Sequence, residues 1–532
     1  MFDCFLILPE REHYNSLPCL DCVHSLFFSA MEVPEEAVAH LDPSDWAEFR
    51  RLAHTMVDGV LDRLVGLREK PEVWQPVPDE VRSKITDEQL PVQPQGAEEA
   101  YKQFLENVMP YPQGNTHPRF FGWVEGGGTP LGVMADMLAA GLNPHMAGFD
   151  QAPVVVEMQV IRWFIQLMGF PEETSSGLLV LGGSIGNTLG LAVARNAKAG
   201  FDVRQDGLMH DPSSGLPAHP RLTVYGSVET HSWAKKAVAL LGLGESAFRQ
   251  IPVDSEHRID LTTLKKQLKE DRDKGMRPIC VIGNAGTVST GAVDDFKALA
   301  ALCKEEDLWF HVDGAIGALI SFSDKLRPII AGMEDADSVS FDCHKWMQLP
   351  NDVACLLIRD RAAHEATFAG SASYLSNMTR GTIKGGLPFA HMGIDLTRAF
   401  RALKVWMSMK AHGKETYARM LEKHCMLAQA LASKVKDHPD ELELLAPVHL
   451  NIVCLRYRPK GITDNSVLNP LNEELLMQMQ ESGVAVPSQA TLLGRFALRC
   501  CILNHRTTMN DIDIYLSAVL RIGSQLAASR GL

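Results

Sequence analysis

Between about 153 and 360 the chain alternates stretches of helical periodicity with short apolar runs. That is the pattern of successive βαβ units and of a mainly parallel sheet. Strands are expected at 178–181, 222–226, 279–283, 308–312, 337–341 and 353–358, several of them stopping at a glycine or polar residue. Open α/β sheets bind ligands beyond the carboxyl ends of their strands, so functional groups should collect along one edge. Upstream, Phe49, Leu52, Met56, Val57, Val60, Leu61 and Leu64 recur at helical spacing behind the capping run Pro43-Ser44-Asp45, predicting an amphipathic helix. A proline- and charge-rich stretch over 71–97 and a short helix near 97–109 follow. Downstream, 371–393 is rich in Gly, Ser, Thr and Asn and reads as a mobile loop. A long helix is expected from near Asp395 and another over 414–436, and 442–532 mixes strands (450–456, 496–502) with helices (471–482, 509–527). The expected organisation is a disordered extension 1–33, an N-terminal helical layer 34–113, a large ligand-binding α/β domain 114–394 and a small α+β domain 395–532.

The strand ends carry the chemistry. Leu308-Trp309-Phe310-His311-Val312-Asp313-Gly314-Ala315 is an apolar run that stops at an acid, and the run ending at Phe341 leads into Asp342-Cys343-His344-Lys345-Trp346. Asp313 and Lys345 can therefore face one crevice, either as a buried ion pair or as reactive groups. Gly182-Gly183-Ser184 opens a helix. Its free N–H groups and hydroxyl suit a phosphate, or make an ordinary capped turn; the run is neither GxGxxG nor a P-loop. His231, just past a strand, can stack on a flat ligand or cap a helix, and Thr287 lies in a small polar strand end that can contact a ligand edge or simply turn. Phe120, Phe121 and Trp123, followed by Gly126-Gly127-Gly128, form either core or the aromatic wall of a pocket. Arg499 sits inside an apolar run, where it needs a carboxylate partner from protein or substrate.

Composition narrows the partners. The 532 residues allow two or three domains, and a net charge of -14 argues against nucleic acid or an anionic membrane. No run of eighteen or more apolar residues occurs, so no transmembrane helix is expected. The 11 cysteines are scattered, several in apolar runs, as in a reducing compartment; Cys19-Leu-Asp-Cys22 is a lone CxxC and a weak metal signal. The start of the chain lacks the basic region of a secretory signal. A cytoplasmic protein that works on small molecules is expected.

Taken in order, His117-Pro118-Arg119-Phe120-Phe121, Gly182-Gly183-Ser184, His231, Gly286-Thr287, His311-Val312-Asp313-Gly314-Ala315, His344-Lys345-Trp346 and Phe400-Arg401-Ala402-Leu403-Lys404 give the chain a familiar look. From about 43 to 520 it resembles the group II amino-acid decarboxylases that depend on pyridoxal 5′-phosphate (PLP), a fold-type I family resembling aspartate aminotransferase in architecture. The resemblance implies that Lys345 takes the covalent link to the cofactor, that Asp313 pairs with its ring nitrogen, and that His231 stacks on the ring with Ala315 on the other face. It further implies that Gly183, Ser184 and His344 bind the phosphate, that Thr287 lies near the ring oxygen, and that Arg499 holds the substrate carboxylate. Lys345, His231 and Asp313 are thus the expected catalytic residues, and Phe120, Phe121 and Phe389 the expected substrate contacts beside Arg499. A homodimer with sites at its interface is implied as well. Many relatives carry a loop tyrosine that returns a proton after CO2 leaves; this chain has none between Tyr374 and Tyr417, and Phe389 is the nearest counterpart. Two outcomes follow for the expected lyase: amine plus CO2, or an aldehyde by oxidative deamination. Phe120, Phe121 and Trp123 favour an aromatic or bulky amino acid, whereas Arg119 resembles the branch acting on acidic amino acids such as glutamate and cysteine sulfinate.

Overall fold

The computed structural model describes residues 41–70, 72–209, 218–370, 379–386 and 388–532. The extension 1–33, the Cys19 and Cys22 pair, Tyr374 and part of the expected loop fall outside them. The chain divides into two compact units, 1–59 and 60–532. Of the first, the described part is the start of the helix Trp46–Val65, which is capped by Asp45 accepting the N–H groups of Ala47 (2.8 Å) and Glu48 (3.0 Å). The expected amphipathic helix is present, and none of its residues is buried.

The second unit is built on two sheets. The larger contains β2 (Ser176–Val180), β3 (Leu222–Ser227), β4 (Phe248–Ile251), β5 (Arg277–Asn284), β6 (Trp309–Asp313), β7 (Ser338–Asp342) and β8 (Ala354–Ile358), in the order β2-β8-β7-β6-β5-β3-β4. Strands β3 to β7 pair in parallel, and β8 runs against both its neighbours. This is the mainly parallel α/β sheet that the alternating pattern predicts. Its strands are almost wholly buried, which is why they read as continuous apolar runs. Edge strand β4 was not expected: its Arg249 and Gln250 interrupt the apolar signal.

The smaller sheet contains β1 (Phe120–Phe121), β9 (Leu442–Leu444), β10 (Ile452–Tyr457), β11 (Val486–Leu492) and β12 (Arg495–Cys501), in the order β1-β11-β12-β10-β9. The helices Asn465–Glu481 and Met509–Ser529 belong to the same body, the latter opened by a reciprocal Thr508 and Asp511 capping box. Strand β1 pairs in parallel with β11 through Phe120 and Val486. Two residues from far upstream therefore complete the carboxyl-terminal sheet.

One expected helix starts late. The sequence predicts it from Asp395, but Ala402–Lys436 is the helical range, with a break at Gly413 (φ 68°, ψ 169°). Arg398 is the reason. It is buried, ion-paired to the buried Glu157, and donates to the Met146 and Leu179 carbonyls, while its own carbonyl accepts the Met146 N–H.

Candidate active site

The carboxyl ends of β5, β6 and β7 bring Asn284, Asp313 and Asp342 to one edge, with Asn284 opposite Asp313 in register. A cavity of about 800 Å³ opens there. Its walls include every expected cofactor residue: Gly183, Ser184, His231, Thr287, Asp313, Ala315, His344 and Lys345. Arg499 lines it from the smaller sheet.

Asp313 is buried and held from two directions. Its Oδ2 accepts the indole Nε1–H of Trp233 at 2.6 Å, and its Oδ1 accepts the Ala315 N–H at 3.2 Å. Lys345 follows β7 in the short helix Cys343–Trp346, and its Nζ lies 2.6 Å from Asp342 Oδ2. Burial by itself lowers a lysine pKa, yet the carboxylates of Asp342, Asp313 and Glu125 outweigh it and hold the Lys345 pKa above the ordinary value. The other oxygen of Asp342 accepts the Gly183 N–H at 2.6 Å, at the start of the helix Gly183–Lys198. His344 hydrogen-bonds through Nδ1 to the Val353 carbonyl at 2.9 Å. His231 accepts the Trp233 N–H at 3.2 Å. Its ring is open to the cavity mouth, but desolvation there lowers its pKa, with Lys345 and Lys236 adding to the effect, so the neutral imidazole is favoured.

Arg499 is buried and, among the described residues, has no carboxylate partner. Its Nε donates to the Val288 carbonyl and its Nη1 to the Trp123 carbonyl, each at 2.7 Å, while the buried Nη2 has no acceptor among the described residues. An unpaired guanidinium arm beside a cavity is a place for a ligand anion.

Three expected substrate residues are not brought here. Phe121 is fully buried against Tyr515 (ring centroids 5.3 Å apart), and Phe120 packs with Val73 and Val486. Both belong to β1, whose partner strand lies far along the chain, so the sequence signal of an aromatic wall is a packing signal. Only Trp123 of that run lines the cavity. Phe389 is also buried, beneath the Arg398 guanidinium at 4.9 Å, and lies off the cavity wall of its own chain. Arg119 lies off the wall too and donates Nε–H to the Val484 carbonyl.

Sequence reading missed Trp233 as the partner of Asp313, the contacts of Asp342, and Glu125. Trp233 looks like any apolar helix residue, since its reach depends on how that helix packs on the sheet. Glu125 had a signal, a carboxylate set between Trp123-Val124 and three glycines.

The donor set suits the cofactor that the resemblance implies. A fixed carboxylate, a lysine and a Gly-Gly-Ser helix start meet in one cavity, answering a ring nitrogen, an aldehyde and a phosphate. Comparison with known proteins agrees. The model of the pyridoxal-dependent decarboxylase conserved domain matches residues 78–458. An aromatic-L-amino-acid decarboxylase of Bacillus atrophaeus is 34% identical over 491 residues, covering 91% of this chain and 97% of that one. A phenylacetaldehyde synthase of Arabidopsis thaliana is 28% identical, covering 87% and 93%. The crystal structure of Oryza sativa TDC with PLP and tryptamine superposes with a TM-score of 0.82 at 23% identity, covering 92% of this chain and all of that one. With strand order, cavity and these likenesses in agreement, the chain belongs to the pyridoxal-dependent decarboxylase family and is a fold-type I enzyme that uses pyridoxal phosphate to decarboxylate an amino acid.

Proposed function

We propose that the substrate is an L-amino acid with an aromatic side chain and that Lys345, Asp313 and His231 are the catalytic residues. The observation that carries this reading is the meeting of Lys345, Asp313 and the unpaired arm of Arg499 in one cavity. Bound pyridoxal phosphate supplies an electron sink for the pair of electrons left when CO2 departs. Lys345 would hold the cofactor through its amine, the group suited to an aldehyde. Asp313, oriented by Trp233, keeps a proton on the ring nitrogen. His231, favoured as the neutral imidazole, and the small Ala315 side chain would flank the ring. Ser184 would offer its N–H and hydroxyl to the phosphate, beside Gly183, whose own N–H is held by Asp342, and His344, while Thr287 on the same wall would serve the ring. Arg499 Nη2 takes the substrate carboxylate.

Trp123 and Val124 on the cavity wall support a flat apolar side chain. The name of the Bacillus relative and the tryptamine in the Oryza structure point the same way. The acidic-substrate alternative does not draw on Arg119, which does not line the cavity. A second reading concerns the product. Phe389 is the nearest counterpart of the loop tyrosine that many relatives use to return a proton, and phenylacetaldehyde synthases are among the similar proteins, which supports an aldehyde as the alternative to the amine.

The domain organisation 34–113, 114–394 and 395–532 and a homodimer belong to the same proposal. Exposed Met137, Leu138, Leu142, Val155 and Met158 on the helices Pro130–Leu142 and Ala152–Met168 support an apolar interface. A cytoplasmic location is supported by the free, mostly buried cysteines. Among the described residues no helix is long and apolar enough to cross a membrane. Mass spectrometry of products from pooled amino acids tests the whole reading. An aromatic amine or aldehyde formed with CO2 is expected; CO2 from acidic amino acids alone overturns it, and peroxide in step with CO2 selects the aldehyde.

A further inference from the structure

One carboxylate on the cavity wall has no part in the chemistry above. Glu125 lines the cavity with Trp123, Lys345 and Arg499. The backbone fixes it from both sides. Two residues earlier, the Trp123 carbonyl accepts the Arg499 Nη1–H at 2.7 Å. One residue later, Gly126 is pressed against the turn that carries the lysine: a Cβ there would fall 2.1 Å from the His344 carbonyl oxygen and 2.7 Å from that of Lys345. The Asn115 side-chain amide holds the Gly126 carbonyl at 2.9 Å, and the Gly127 N–H donates to Gln348 Oε1 at 2.9 Å. Glu125 is thus strapped beside the reacting lysine, close enough for its charge to act on Lys345.

The other carboxylates of the wall are engaged. Asp313 accepts from Trp233 and Ala315, Asp342 from Lys345 and Gly183, and Asp352 from Arg401 at 2.9 Å. Among the described residues Glu125 is the cavity-lining carboxylate with neither a hydrogen bond nor an ion pair. The cavity therefore holds two unpaired groups of opposite sign, Glu125 and the Nη2 arm of Arg499. An amino acid whose amine is committed at Lys345 satisfies Arg499 with its carboxylate, which leaves Glu125 for the side chain.

We infer that Glu125 selects aromatic substrates whose ring carries a hydrogen-bond donor, such as a phenol, a catechol or an indole N–H, and rejects side chains ending in carboxylate or sulfinate. This rests on the decarboxylation reading of the site and sharpens its substrate class. A carboxylate accepting from such a donor makes a charge-assisted bond, stronger than a neutral pair. A site with a polar group to satisfy discriminates sharply against the analogue that leaves it unpaired. A second carboxylate brought alongside meets repulsion. An aliphatic ammonium answers the charge equally well, but the neighbours Trp123, Val124 and Val288 suit a ring.

The test compares cofactor-loaded wild type, Glu125→Gln and Glu125→Ala, with retention of the cofactor absorbance band as the check on folding. CO2 release is measured with L-tyrosine, L-phenylalanine, L-tryptophan, L-glutamate and L-lysine. Separately from turnover, tyramine and phenethylamine are titrated by the change in that band. Wild type is expected to favour tyrosine over phenylalanine in kcat/KM by about tenfold or more, and tyramine over phenethylamine likewise. Both variants are expected to cut those ratios about tenfold. Ratios that stay as in wild type, including a uniform loss on every substrate, overturn the inference, as does faster turnover of lysine than of tyrosine by wild type. No CO2 from any of the panel defeats the decarboxylation reading instead, and the amine titrations then still decide the role of Glu125.

Discussion

Asp342→Asn is the sharpest probe of how the site prepares its lysine. The carboxylate lies 2.6 Å from Lys345 Nζ and heads the acids that hold the lysine pKa up against the effect of burial. A hydrogen bond to a charged group contributes about 1.5–3 kcal/mol. Removing the charge therefore lowers the Lys345 pKa, and since about 1.4 kcal/mol is a tenfold change in an equilibrium, the free amine becomes about 10 to 100 times more abundant at a given pH below the half-point. The sign follows from which form the carboxylate favours: it stabilises the ammonium, so the wild-type amine becomes nucleophilic only at higher pH, and the variant reaches that state earlier. Cofactor-free protein is labelled with trace acetic anhydride across pH 7–11, and the Lys345 peptide is quantified by mass spectrometry. Only the free base reacts, so the half-point of the profile reports the pKa without involving the phosphate cradle. Below the wild-type half-point the variant is expected to label about 10 to 100 times faster. Coincident half-points would refute the assignment of Asp342 as the group that holds the proton on the lysine.

Three further outcomes are expected. Trp233→Phe removes the indole donor at 2.6 Å from Asp313 and is expected to weaken pyridoxal phosphate binding about 10-fold or more, read by titration of the cofactor absorbance, with little change in thermal midpoint. Gly126→Ala drives a methyl group into the carbonyl oxygens of His344 and Lys345, so the protein is expected to fold yet lose the absorbance of lysine-bound cofactor; a normal spectrum contradicts the close approach. Glu157→Ala leaves Arg398 buried and uncompensated, and a loss of roughly 3–5 kcal/mol in denaturant unfolding is expected; a loss under about 1 kcal/mol means that the guanidinium finds another partner.

The larger sheet and its edge were legible because burial on both faces writes strands as plain apolar runs. Asp313 and Lys345 each interrupt or follow such a run, so their positions announced themselves. Arg499 was legible for the opposite reason, a charge within an apolar strand, and the absence of a protein carboxylate beside it was not. What escaped depends on partners distant in the chain. Phe120 and Phe121 are aromatic beside glycines either way, and only their pairing with β11 decides that they pack rather than line a pocket. The late start of the helix Ala402–Lys436 turns on Arg398 meeting Glu157, more than two hundred residues upstream. Trp233 illustrates the same gap within the site, since nothing in an indole on a helix tells which acid it will reach.

Lys345, Asp313 and the glycine cradle all hang from the larger sheet, whereas Arg499 is carried by β12 of the smaller one and reaches across to the carbonyls of Val288 and Trp123. Cofactor loading and substrate capture are therefore separable lesions. A substitution that loosens the smaller sheet, even one far from any ligand, lets the anchor for the carboxylate drift while the lysine and its acid stay in register. Such a variant would be yellow and apparently intact, yet slow to fill, with a raised KM and a nearly unaltered spectrum.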